Sequence, residues 1–362
     1  DLGYRPGLVR IYDWNGTNWI QRGDEIKGDG APVMLEWFGK GLSLSADGNT
    51  IGIGGPNNIT NGFRAGFAKI FNWDGTQWVQ VGNTILGDEE YDTFGMSLSL
   101  SADGTKAAIG APGNLGYGNN EEGYMKVLEF NGTDWIQMGT TIYGDFDGDD
   151  YGRSISLNSA GNRVAVGAPR DNSAGPSTDC KTYAYEWNGS NWMQMGSTLV
   201  GEQAFNNFGF RVRLNSTGDR LASSASTYFT NGDIQVFEWA SNTWTQLGNN
   251  LTGDNPQDIF GAGMDMNGTG NRVAGGAYGH DDKGQAKVYE FQSDAGIVEG
   301  GNIVEISVFP NPTYGTLHLQ NVEESLEIEL SDLNGKSILG REIVKDTQID
   351  LSELPAGVYI LK

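Results

Sequence analysis

The sequence predicts an all-β protein: a β-propeller of four-stranded blades followed by a small C-terminal β-sandwich. Three observations carry this. The stretch FGMSLSLSADGTKAAIGAP (Phe94 to Pro112) is built almost wholly from small residues and leucines, and it recurs four more times. The copies are anchored on Phe38, Phe94, Tyr151, Phe208 and Phe260, each followed by Gly, with spacings of 56, 57, 57 and 52 residues. That period fits propeller blades better than helical arrays. The pattern then stops near Gln292, and a β pattern without the repeat follows.

Each repeat reads as four strands. Strand A is LSLS-like (Leu98, Leu100) and ends in a tight Gly-containing turn such as Ala102-Asp103-Gly104-Thr105. Strand B is KAAIG-like and ends near Pro112; strand C is of the YMKVLEF type and is closed by Asn131-Gly132, a hairpin signal. Strand D begins at Trp19, Trp78, Trp135, Trp192 and Trp244. Where sheets converge on an axis only small residues let backbones approach, so A and B are the inner strands. The large aromatics of C and D belong to the wider outer part. Strand C occurs six times but A and B only five times, which predicts part of a six- or seven-bladed ring, the rival being a five-bladed ring in which an N-terminal strand completes the last blade.

The chain divides into propeller repeats over 1–292, a linker over 293–302 and the sandwich over 303–362. In the last, SVFPNPTYGTLHLQ enters a strand through Pro310-Asn311-Pro312. A hairpin follows around Asn334-Gly335, and two strands are joined by Leu354-Pro355-Ala356-Gly357.

Lys and Arg number 23 against 46 Asp and Glu, a net charge of −23. Nucleic acid and anionic membrane are poor partners for such a chain, because phosphate binding needs clustered cations. Cys180 is the sole cysteine, which excludes an internal disulfide and a paired-cysteine metal site. Two histidines, His280 and His318, argue against His-based zinc sites and Ser-His-Asp catalysis. No apolar run approaches the ~20 residues of a membrane-spanning helix.

In an antiparallel blade the B–C and D–A loops share one face, and here these are the variable and acidic ones. Variable loops on a rigid scaffold are where binding resides. Four D–A loops follow G-[DE]-x3-[DN]-x-[FY]-G. Within them Asp145, Asp147, Asp149 and Asp150 offer alternating carboxylates that suit Ca²⁺, which wants six to eight oxygens. The plainer reading is a recurrent turn whose acids cap loop amides. Trp37, in an irregular D–A loop without a counterpart in the other repeats, is a candidate ligand contact. Tyr117, His280 and Asp281, on B–C loops, are further candidates, His280-Asp281-Asp282 also as a metal ligand or as plain solvated loop. No cofactor other than Ca²⁺ is expected. The paired tryptophans flanking the C–D turns and the D-strand glutamines read as architecture.

The repeat resembles the FG-GAP repeats of integrin-type β-propellers, over about residues 7 to 292. The calcium loop frequent in that family lies between the two motif ends, where this chain has only short turns such as Ala46-Asp47-Gly48, so no calcium site carries over there. VFPNPT, DLNGK and LPAGVYILK, carrying Pro310, Asn311, Pro312, Asn334, Gly335, Gly357 and Tyr359, resemble the type A C-terminal sorting domain of type IX secretion cargo. That resemblance implies recognition by the type IX machinery and export across the outer membrane of a Gram-negative bacterium. Many members are then cleaved and anchored at the surface. The family usually continues into a further Lys-containing strand, so the module reads as clipped after Lys362. Together these predict a secreted or surface-displayed binding or adhesion protein whose propeller loops take a glycan or protein. The alternatives are a carbohydrate-active enzyme on a propeller, which needs an acid/base carboxylate pair, and a purely structural surface protein.

Overall fold

The computed structural model describes residues 7–29, 36–113, 122–146, 148–170, 180–202, 206–227, 230–291, 307–309, 315–320, 326–332, 337–343, 345–352, 354 and 359–361. The chain separates into two compact units, Asp1–Gln292 and Ser293–Lys362.

The first unit is a β-propeller. Strands A are Leu42–Leu44, Ser97–Leu100, Ser154–Leu157, Phe208–Leu214 and Phe260–Met266. Each pairs with strand B of its blade: Thr50–Gly55, Lys106–Ala111, Arg163–Ala168, Arg220–Ala225 or Arg272–Ala277. Strands C are Phe67–Trp73, Tyr124–Phe130, Lys181–Trp187, Asp233–Ala240 and Gln285–Glu290. Ahead of these blades, Leu8–Val9 with Tyr12–Trp14 form a further C strand and Trp19–Gln21 with Ile26–Lys27 its partner.

Strand D has a feature the sequence did not reveal. It runs in two pieces, as Trp78–Gln80 and Ile85–Leu86, and both pair with the same C strand. The D-strand glutamine secures the kink between them: Gln80 Nε2 donates to the Gly82 carbonyl and Thr84 Oγ1, as Gln137 does to Gly139 and Thr141.

Consecutive blades meet along their inner strands. The Gly after each anchor aromatic has φ between +85° and +93°, which L side chains rarely adopt. Its carbonyl abuts the first Gly of the Gly-Ala-Pro end in the preceding blade, so a Cβ on Gly54, Gly110 or Gly167 would collide with Gly95, Gly152 or Gly209. The aromatics Phe94, Tyr151, Phe208 and Phe260 are completely buried between blades. Strand-A serines do more than stay small. Ser43, Ser99 and Ser156 accept hydrogen bonds from Leu100, Leu157 and Leu214 of the next blade at 2.9–3.0 Å. On the face of the A–B turns a backbone chain of bonds runs from turn to turn, Ala46 to Ala102, Ala102 to Ser159, Ser159 to Ser216 and Ser216 to Gly268. At the outer edge the indole N–H groups of Trp78, Trp135, Trp192 and Trp244 donate to carbonyls in the preceding blade's strand D or just after it, at 2.9–3.1 Å.

Positions that are buried between blades are exposed in the first and last of these five blades. Val288 is 71% exposed where its counterpart Val236 is 1% exposed, and Leu42 and Leu44 are exposed where Leu98 and Leu100 are buried.

The second unit is a small sandwich. One sheet orders Ser307–Phe309, Thr316–Gln320 and Thr347–Asp350, the other Ser337–Ile343, Leu326–Asp332 and Tyr359–Leu361. Leu317, Leu319 and Ile349 from the first pack with Ile328 and Leu339 from the second. The last two strands therefore lie in different sheets.

The backbone contact between blades is testable. Gly167→Ala should destabilise the protein by about 3 kcal/mol through overpacking, read as a lowered urea midpoint. Gly263→Ala, with open space around its Cβ position and no positive φ, should change the midpoint little. Equal effects of the two changes would refute the packing account.

Candidate functional site

The acidic D–A loops repeat one internal chemistry. In four of the five loops the first acid takes a cation from strand C, whereas Glu202 accepts from the Asn250 amide instead: Lys69 Nζ lies 2.6 Å from Asp29, Lys126 Nζ 2.6 Å from Asp88 and Lys181 Nζ 3.2 Å from Asp145. Lys287 pairs with Asp254 in the same way. The second acid turns inward and accepts amide hydrogens of its own loop. Asp92 Oδ2 accepts from Asp88 and Glu89, Asp258 Oδ2 from Asn255, and Asp149 accepts from Asp145 and Tyr151. Asn206, which has no charge, does the same for Phe208 at 3.0 Å.

Of the residues read as calcium ligands, Asp145 is held by Lys181 and by the Tyr183 hydroxyl at 2.7 Å, and Asp150 by Arg170 at 3.2 Å. Asp147 lies outside the described residues. Burial pushes the Asp149 carboxyl up to about 7, against the backbone hydrogen bonds that favour its charged form.

Among the described residues, the group with metal-ligating atoms close together is Asp254, Asp258 and His280, within 4.8 Å of one another. His280 opens the short 3₁₀ turn His280–Asp282 in the last B–C loop, and its Nδ1 is 2.9 Å from Asp258 Oδ2. That hydrogen bond raises the imidazole pKa and lowers that of Asp258. Asp281 is exposed, 3.5 Å from His280 Nε2. The Lys287 ammonium and the Gln285 amide both bond Asp254, so the cluster already contains the positive charge that a metal ion would bring.

Trp37 does have a counterpart in every repeat, contrary to the sequence reading. It immediately precedes the anchor aromatic, as do Thr93, Asp150, Asn207 and Ile259, and all five have φ between 53° and 58°. Three extra residues between Asp29 and Glu36 hide this register in the sequence. What differs is the side chain. Thr93 Oγ1 donates to the Gly113 carbonyl, Asn207 Nδ2 donates to the Ser226 carbonyl, and Asp150 pairs with Arg170. Trp37 is 47% exposed where Thr93 is 4% exposed. Tyr117 lies outside the described residues.

Sequence reasoning missed a group of cations at the inner rim. Two residues after the anchor aromatic stand Lys40, Met96, Arg153, Phe210 and Ala262, and Arg211 follows Phe210. The guanidinium carbons of Arg153 and Arg211 lie 5.8 and 5.0 Å from the centre of the Phe210 ring. Burial, and then the nearby guanidiniums of Arg153 and Arg211, lowers the Lys40 pKa. The signal was a basic residue at two of five equivalent positions in an otherwise acidic chain.

In the sorting-like module, Tyr359 pairs with Asp332 in the second sheet. Pro310, Asn311, Pro312, Asn334, Gly335 and Gly357 lie outside the described residues.

The buried Asp149 has a consequence for pH. Its folded pKa exceeds the unfolded value of 3.8, so the stability it contributes is complete below about pH 4 and is lost as pH rises through about 7. Asp149→Asn reproduces the arrangement of Asn206. Relative to this variant, the parent should lose up to about 3 kcal/mol of unfolding free energy between pH 5 and pH 8. A stability difference between the two proteins that does not change with pH would show that Asp149 is charged throughout.

Comparison with known proteins adds two findings. The fold is similar to the periplasmic gluconolactonase PpgL of Pseudomonas aeruginosa, at 13% identity and a TM-score of 0.50 over 96% of each chain. Weaker likenesses include a Bacteroides uniformis protein provisionally described as a 6-phosphogluconolactonase, with 11% identity and a TM-score of 0.49 over 95% of this chain and 96% of that one. Another is the β-propeller domain of the Trilobed protease from Pyrococcus furiosus, with 10% identity and a TM-score of 0.41 over 77% of each chain. Identities this low show the fold alone. No curated protein matches the sequence. No helix among the described residues is long and apolar enough to cross a membrane. Residues 307–362 match the model of the secretion system C-terminal sorting domain. The C-terminal unit thus belongs to that sorting-domain family, and the protein is type IX secretion cargo delivered to the cell exterior or the cell surface.

Proposed function

We propose that the propeller is a binding module, displayed or released outside the cell, whose D–A and B–C loop face takes a glycan. The FG-GAP-like, integrin-type character of the repeats supports an adhesive role. The observation that carries the reading is Trp37. Four blades place a small, polar or packed side chain at this left-handed position, whereas the first presents a half-exposed indole there. The backbone conformation is common to all five blades, so it is scaffold, and the indole is what was added to it. A flat aromatic held on a rigid turn suits stacking against a pyranose ring, with little conformational entropy to lose.

The acidic residues support binding over catalysis. Most acids of the described loop face follow the repeat and are engaged by lysines, backbone amides or His280; Asp233, whose carboxyl burial raises to about 6 with Glu202 adding to the effect, departs from the repeat and is where the enzymatic alternative would be sought. A carbohydrate-active enzyme is the alternative, and it would reveal itself by turnover of a bound glycan. A glycan array probed with the full chain, in Ca²⁺ and in EDTA, tests the reading. Trp37→Ala should weaken any hit at least tenfold and leave stability within about 0.5 kcal/mol. A blank array in both buffers, or hits indifferent to Trp37, would overturn it.

A further inference from the structure

We propose that the inner rim of the loop face is an oxyanion site formed by Arg153 and Arg211 at the Phe210 ring with Lys40 nearby, and that its ligand is an acidic saccharide held through its carboxylate. This names the charge of the ligand for the binding reading above, and rests on that reading.

The argument starts from pairing. The chain carries two acids for every base, and thirteen of its described Lys and Arg side chains have a carboxylate within 4.0 Å. Lys40, Arg153 and Arg211 have none among the described residues. They come from three different blades: Arg153 and Arg211 meet at the Phe210 ring, and the charge of both is felt by Lys40. Asp150, the carboxylate that feels Arg153, is bonded to Arg170 instead.

These cations also act on one another. Burial lowers the Arg211 pKa first, with Arg153 and Arg213 adding to the effect, and Lys40 is lowered by burial together with Arg153 and Arg211. Gathering like charges without a counter-ion costs stability, and such costs persist where function needs them.

The geometry suits a compact oxyanion. The Phe210 ring lies against both guanidiniums, and Arg211 Nε is fixed on the Ala262 carbonyl at 3.2 Å, which leaves the two terminal nitrogens of that guanidinium for a ligand. Planar guanidiniums held in place match a carboxylate in bidentate fashion. Lys40 and Trp37 share a turn, with the Lys40 amide donating to the Trp37 carbonyl at 3.0 Å, so a cation and a stacking surface lie on the same rim. The net charge of −23 still disfavours long polyanions such as nucleic acid, whereas one carboxylate on a sugar needs only a local field.

Titration calorimetry on the full chain decides the matter, with trigalacturonic acid, the neutral trisaccharide galactotriose and inorganic phosphate as probes. Trigalacturonic acid should bind, more weakly as NaCl is raised. Arg153→Gln and Arg211→Gln should each weaken it about tenfold or more, and exposed Lys40→Gln by less. The unliganded Arg153→Gln and Arg211→Gln proteins should melt no lower than the parent, because repulsion is relieved; a lower melting temperature together with unchanged binding would mark the arginines as structural and overturn the site. Equal binding of the acidic and neutral trisaccharides, or acid binding indifferent to all three substitutions, overturns the oxyanion site and leaves the glycan reading standing. Phosphate binding with trigalacturonic acid blank overturns the saccharide assignment. Neutral and acidic glycans both blank, on the array and here, overturn the glycan reading itself.

Discussion

The architecture depends on one contact: the backbone of the Gly that follows the anchor aromatic lies against the backbone of the first Gly of the Gly-Ala-Pro end in the preceding blade at Gly95, Gly152 and Gly209. No side chain fits at either point there; at the next contact Ser224 stands in place of the second glycine, against Gly261. One glycine supplies a positive φ and the other supplies empty space, so both are dictated by the same approach. The spacing of sixteen residues between aromatic and Gly-Ala-Pro glycine follows, since the A–B hairpin must span the height of the inner face and return in register. The anchor aromatic is buried by the same geometry. With the inner strands fixed, the D–A and B–C loops have only one face on which to emerge.

Repetition also separates structure from function. Carboxylates that recur from blade to blade carry recurring duties: one neutralises a strand-C cation, the next caps amides, and an uncharged Asn206 suffices where the loop permits it. Such residues keep the loop face in shape. Departures from the pattern are more informative. Trp37 at a position that is otherwise packed, and rim cations with no carboxylate partner among the described residues, serve no architectural need visible in the other blades.

The repeat made the fold legible, since a period near 57 residues with fixed motif ends leaves few alternatives to a blade. The small sandwich was legible from its turn motifs. Other features were not. The second half of strand D, such as Ile85–Leu86, is two residues long and has no periodicity to detect. Serines in strand A look merely small until their hydroxyls are seen bonding the next blade. Trp37 was noticed but misplaced, because three inserted residues shift its loop out of the shared pattern. Lys40, Arg153 and Arg211 are far apart in the chain, and only the curvature of the array brings them together. Recurrence in the sequence reports on the blade, whereas the site arises between blades.

The hydrogen-bonded chain of A–B turns has a mechanical side. Each turn gives one backbone bond to the next and receives one from the turn before, so an interior blade is clasped by both neighbours and a terminal one by a single neighbour. Stability in such an array is a sum of nearest-neighbour terms, and opening is easiest at its ends. Because each clasp joins only neighbouring blades, a tug on the chain would part them one at a time, a graded yield in place of a single rupture.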